Sequence, residues 1–161
     1  MSCFLSNARG NGAFRSAHMV EIAGAALAAF FLLSTPSYAQ VVKFASTLSG
    51  AQEVPPTQSK GEGTLTASYD ETTRKLSWSV SYSGLTGTPL AAHFHGPTQP
   101  GKNAPVEVPA PHAEANPIQG TAVLSAKEAS DLLSGNMYFN IHTKAHPGGE
   151  IRGQVKQAKP S

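Results

Sequence analysis

Two histidines stand two positions apart in Ala91-Ala92-His93-Phe94-His95-Gly96-Pro97. On an extended strand alternate side chains share a face, so both imidazoles project together while Phe94, with Leu90 and Ala92, points into an apolar layer. Far along the chain, His142 closes the alternating run that begins at Met137, and His146 follows in the turn before Pro147. If these two stretches lie side by side, His93, His95 and His142 meet as metal ligands, with His146 as the expected fourth. Neutral imidazole suits copper, zinc and nickel, and by the stability order Cu(II) would be held most tightly, with Zn(II) next. The only cysteine is Cys3, and Met137 falls on the apolar side of its run, which argues against a Cu(I) thiolate or thioether site. Asn140 shares the polar face of His142 and is placed to orient a histidine by hydrogen bonding. His112, between Pro111 and Ala113, is a possible extra ligand on a loop able to fold over the site.

Other chemistry finds less support. No Gly-x-Ser-x-Gly elbow occurs and no acidic residue is spaced for a hydrolytic triad. Glu107 and Glu114 read as solubilising loop residues, and Glu150 with Arg152, alternate residues of one strand, as a structural ion pair. The metal ion is therefore the primary partner expected, in metal handling rather than turnover. An alternative is a module that holds another envelope or extracellular protein through a sheet face or the proline-rich loop, with no metal role. A third is a copper site that dismutates superoxide, which needs an open coordination position. Twelve Lys and Arg face ten Asp and Glu for a net charge of +2, without a basic cluster, so neither nucleic acid nor an anionic membrane surface is an expected partner.

The elements that must position these residues begin after residue 39. Residues 1–39 read as a cleaved secretory signal: Arg9, Arg15 and His18 precede an apolar run from Ile22 to Leu33, and Ser37-Tyr38-Ala39 offers small residues for cleavage after Ala39. That apolar run is too short to span about 30 Å of hydrocarbon, so no membrane span is expected after cleavage, and a periplasmic or secreted location follows. Residues 40–157 form the expected domain and 158–161 a frayed tail.

Within the domain the period is two. Leu65, Ala67 and Tyr69 alternate with threonine and serine, and Leu76, Trp78, Val80 and Tyr82 alternate with four serines, with Trp78 the expected core aromatic. Strands are also predicted over 40–49, 89–95, 118–124, 136–143 and 151–155. Six prolines between Gly96 and Pro117 predict a long loop with at most a short strand at Val106 to Val108. Ser125-Ala126-Lys127-Glu128 has the form of a capping box and starts a short helix that Gly135 ends. The pattern predicts an all-β protein: an antiparallel, immunoglobulin-like (Greek-key) β-sandwich with one short helix.

Four stretches carry a family resemblance: Gly50-Ala51-Gln52-Glu53-Val54-Pro55-Pro56 behind Phe44 to Leu48, the His93 stretch, Leu132 to Thr143, and His146 to Gln154. Together they resemble the CHRD domain, named for its occurrence in chordin. The resemblance implies an extracytoplasmic immunoglobulin-like sandwich, with a bacterial-type, stand-alone exported member in view. It implies protein binding in animal members, matches the usual histidines at His93, His95 and His142, and departs from many members in carrying His146.

Overall fold

The structure, a computed structural model, describes residues 40–159, so the expected signal segment, residues 1–39, lies outside the described residues. Nine strands run β1 Val41–Ser49, β2 Glu62–Asp70, β3 Lys75–Ser83, β4 Pro89–His95, β5 Val106–Ala110, β6 Ile118–Val123, β7 Tyr138–Thr143, β8 Ile151–Gln154 and β9 Lys156–Gln157. They form one antiparallel sheet in the order β5-β4-β7-β8-β1-β2-β3-β6, with β9 paired to β1. The expected sandwich is thus a single nearly closed sheet doubled over on itself. The join is narrow, since β8 meets β1 at the one ladder pair Ser49 and Arg152.

Alternation explains the closure. Leu76, Trp78 and Val80 of β3 are buried between exposed or half-buried serines. Trp78 reaches Phe94 of β4 across the core, ring centroids 5.2 Å apart and edge to face, and Phe94 packs the same way on Phe139 of β7 at 4.8 Å. Because β3 and β4 are distant in strand order, the Trp78–Phe94 contact can form only if the sheet folds back, and the packed rings hold it there. Helix α1, Ala126–Leu133, carries both halves of the capping box: Glu128 N donates to Ser125 Oγ at 3.2 Å, and Ser125 N donates to Glu128 Oε2 at 2.7 Å. It buries Ala129 and Leu132, and Gly135 follows at φ +70°.

Three local expectations change. Leu90 is exposed rather than apolar-facing, because the β4–β7 ladder slips between Pro89 and Ala91 and turns Pro89 inward instead. Strand β5 runs on to Ala110, with Pro109 opposite His93. That proline is tolerated because β5 is an edge strand, where a missing N–H breaks no second ladder. Ala158, placed in the tail, donates its N–H to Lys43 O at 2.8 Å.

The face of β7 and β8 turned away from the aromatic core is also covered. Tyr138, Asn140 and Arg152 are buried there alongside polar neighbours. Loop 96–105 and the 50–56 connection, whose start is a 3-10 turn at Gly50–Gln52, supply its partners. A second, polar layer therefore lies beneath two loops.

Candidate metal centre

Strand pairing builds the centre. Antiparallel register sets Ala91 opposite His142, His93 opposite Asn140, and His95 opposite Tyr138. Residues two apart share a face, so His93 and His95 of β4 meet Tyr138, Asn140 and His142 of β7 on one surface. Ring centroids are 5.6 Å apart for His93 and His95, 5.1 Å for His93 and His142, and 6.2 Å for His95 and His142. One nitrogen from each ring lies within 4.8 Å of the other two, and among the described residues no other group of three or more such side chains is so placed. Around a tetrahedral ion bound at about 2.0–2.1 Å, ligand nitrogens stand about 3.3 Å apart, a closure within reach of side-chain rotation.

Hydrogen bonds decide which nitrogens are free. His95 Nδ1 lies 2.9 Å from Ala104 O, and His142 Nδ1 lies 2.9 Å from Pro147 O. A carbonyl only accepts, so each Nδ1 carries the proton and each neutral ring presents a bare Nε2. His93 Nδ1 is 3.2 Å from His142 Nε2 and donates to it. His95 Nε2 is buried with no partner at all. Burial, then the neighbouring histidines, hold the His93 pKa below the usual histidine value. Burial foremost, with help from His142 and Arg152, does the same for His95, against opposing contributions from Ala104 and Asn140. Both rings are thereby kept neutral, the state in which imidazole binds metal.

The other histidines stand apart from this trio. The His146 backbone closes the turn that presents Pro147 O: Thr143 N donates to His146 O, and so does Gly149 N at 3.1 Å. Its imidazole is not among the three that converge. His112 is largely exposed beside Glu114, Nδ1 to Oε1 3.6 Å, and also lies outside the trio. Asn140 stands opposite His93 on the same face, with Oδ1 buried and without a hydrogen-bond partner, and its side chain is close enough to His95 to act on that ring.

Behind the trio lie residues whose part in the site sequence reasoning missed. The Tyr138 ring stacks on His95, centroids 4.7 Å apart and planes 2° from parallel. Arg152 sits over the Tyr138 ring with Cζ 3.5 Å from the centroid. It donates Nη2 to Lys102 O at 2.6 Å and Nη1 to Asn103 Oδ1 at 3.1 Å. These bonds hold down the loop that also bears Ala104, the partner of His95. The expected Glu150–Arg152 pair does not form. Glu150 precedes the β8 ladder, and its carboxylate instead accepts from Ser59 Oγ, Thr86 N, Thr86 Oγ1 and Thr143 Oγ1. The acidic group that acts on Arg152 is Glu53, itself buried. Its only trace in the sequence is an acidic residue in an otherwise uncharged stretch ending in Pro55-Pro56, which is also what a solvated loop looks like.

The doubled β-sheet with a polar layer beneath two loops defines an all-β module. A family model described as CHRD domain matches residues 44–155. No curated protein and no solved structure matched. The chain belongs to the CHRD domain family. All four stretches that carry the resemblance contribute to this region: Glu53 from the first, the histidine pair from the second, Asn140 and His142 from the third, and Gly149 and Arg152 from the last.

Proposed function

We propose that this CHRD domain is an exported, divalent-metal-binding module that acts in metal handling, with Cu(II) the ion held most tightly and Zn(II) next. The observation that carries the reading is the set of converging imidazoles on β4 and β7 whose second nitrogens are tied, for His95 and His142, to the carbonyls of Ala104 and Pro147. A hydrogen bond to the far nitrogen fixes the tautomer and ring orientation that ligation requires. The donor chemistry fits borderline divalent ions, and His93, His95 and His142 would hold the metal.

Titration of residues 40–161 with Cu(II) and Zn(II), followed by calorimetry and by EPR for copper, tests the reading. Saturable uptake below about 10 μM is expected, with loss in a His93→Ala/His95→Ala double variant. Uptake unchanged by that double substitution overturns it. Fractionation of expressing cells with N-terminal sequencing of the product checks export and cleavage after Ala39.

A further inference from the structure

Asn140 is the residue in register with His93, and on β7 it stands between Tyr138 and His142, so it occupies the middle of the histidine-bearing face. It is 2% exposed, and its Oδ1 makes no hydrogen bond. The neighbouring His95 Nε2 is equally orphaned, and because Nδ1 of that ring holds the proton, Nε2 is a bare lone pair. Two buried acceptors without donors cost free energy unless something positive or proton-bearing lies between them.

The other end of the amide explains the orientation. A Cβ built on Gly149 would fall 2.5 Å from Glu53 Oε1 and 2.8 Å from Asn140 Nδ2, so carboxylate and amide nitrogen press on the same glycine. Flipping the amide would turn its oxygen toward the acidic Glu53 and its NH2 toward the bare His95 nitrogen. The arrangement present keeps the NH2 beside the acid and leaves the oxygen for the histidine side. Glu53 and Gly149 thus act as a backstop that aims Oδ1.

We propose that Asn140 Oδ1 is the fourth donor of the centre, completing a three-nitrogen, one-oxygen set in the place where sequence spacing suggested His146. This rests on the three-histidine reading above. Carbonyl-type oxygens are ordinary donors to divalent ions, and here the donor is already dehydrated and immobilised before an ion arrives.

The test uses the protein from residue 40 onward and Cu(II) as the probe. Asn140→Ala is expected to weaken Cu(II) binding 10–100-fold and to change the copper EPR g and hyperfine values, while His146→Ala leaves both unchanged. Asn140→Asp retains an oxygen donor and is expected to restore affinity and an oxygen-bearing spectrum, and it serves in place of the alanine variant if that one does not fold. Wild-type spectra and affinity within two-fold in a folded Asn140 variant lacking the oxygen overturn the proposal while leaving the histidine site standing. Absence of uptake by the unsubstituted protein overturns both.

Discussion

Glu53 and Arg152, nearly a hundred positions apart in the chain, act on each other in the buried polar layer, yet the Glu53 carboxyl is pushed up to about 7. Burial causes the rise and outweighs the opposing pull of the Arg152 guanidinium and a backbone hydrogen bond at Val54. Arg152 spends its donors on Lys102 O and Asn103 Oδ1, which leaves Glu53 Oε1 without a partner. The two groups therefore influence each other through space without a direct salt bridge, and the consequences are electrostatic.

A carboxyl whose folded pKa lies above its unfolded value near 4.5 takes up protons on folding, so the stability of the metal-free protein falls as pH rises between those values. The loss is complete above about 7 and amounts to about 3 kcal/mol at 1.36 kcal/mol per pKa unit. Glu53→Gln is expected to remove most of this decline. Urea unfolding of both proteins at pH 5 and pH 8 measures it, and parallel pH slopes would contradict the assignment.

His93 and His95 are displaced the other way, both held below 6.5 chiefly by burial. Between the folded and unfolded pKa values the unfolded chain binds more protons, so acidification costs the metal-free fold stability that is fully present above about 6.5. Protons compete with the ion for the same nitrogens. Cu(II) affinity is expected to be nearly flat from pH 8 to about 6.5 once buffer competition is subtracted, and to fall steeply below that. Calorimetric titrations across this range check the onset, and a loss of affinity that begins well above pH 6.5 would require a different titrating group.

The strands and the shared face of His93 and His95 could be read from period-two alternation, because inward and outward residues alternate along β3 and Ala92 and Phe94 of β4 flank the outward His93. The arrival of His142 beside them was legible only as a condition, since it depends on β4 pairing with β7 across 49 positions, and a register slip of one would turn His142 into the core. The polar layer was hidden for another reason. Residues 50–56 and 96–105 have the composition of solvated connections, and nothing local distinguishes a loop that folds over a sheet from one that faces water. Leu90 and Glu150 mislead because each lies where the alternation fails, one at the ladder slip after Pro89 and the other just before β8 begins.

Glu150 tests the network on the opposite side of the His146 turn. Burial alone would raise its pKa, but hydrogen bonds from Ser59, Thr143 and Thr86 outweigh it and leave the net shift downward. The stabilisation is present above the unfolded carboxyl value and is lost as pH falls through the folded one. Glu150→Ala would strand several buried donors and is expected to cost about 3 kcal/mol at neutral pH. Glu150→Gln, which keeps one acceptor oxygen, should lose less. Chemical denaturation at pH 7 and pH 3.5 separates the cases: the difference between wild type and Glu150→Ala should shrink at the lower pH.

Gly149 connects stability to the centre most directly. At φ +129° it occupies backbone space that side chains disfavour, and any Cβ there would collide with Glu53 Oε1 and Asn140 Nδ2. The substitution Gly149→Ala therefore combines backbone strain of about 1–3 kcal/mol with displacement of the two groups that aim the Asn140 oxygen. A loss of stability by itself would be ordinary for a buried turn. The discriminating expectation is that Gly149→Ala, refolded and compared at a temperature where both proteins are fully native, also shifts the copper EPR parameters in the direction seen for Asn140→Ala, whereas Glu150→Gln does not. Destabilisation with an unaltered copper spectrum would mean that Glu53 and Gly149 support the turn alone and do not orient the amide.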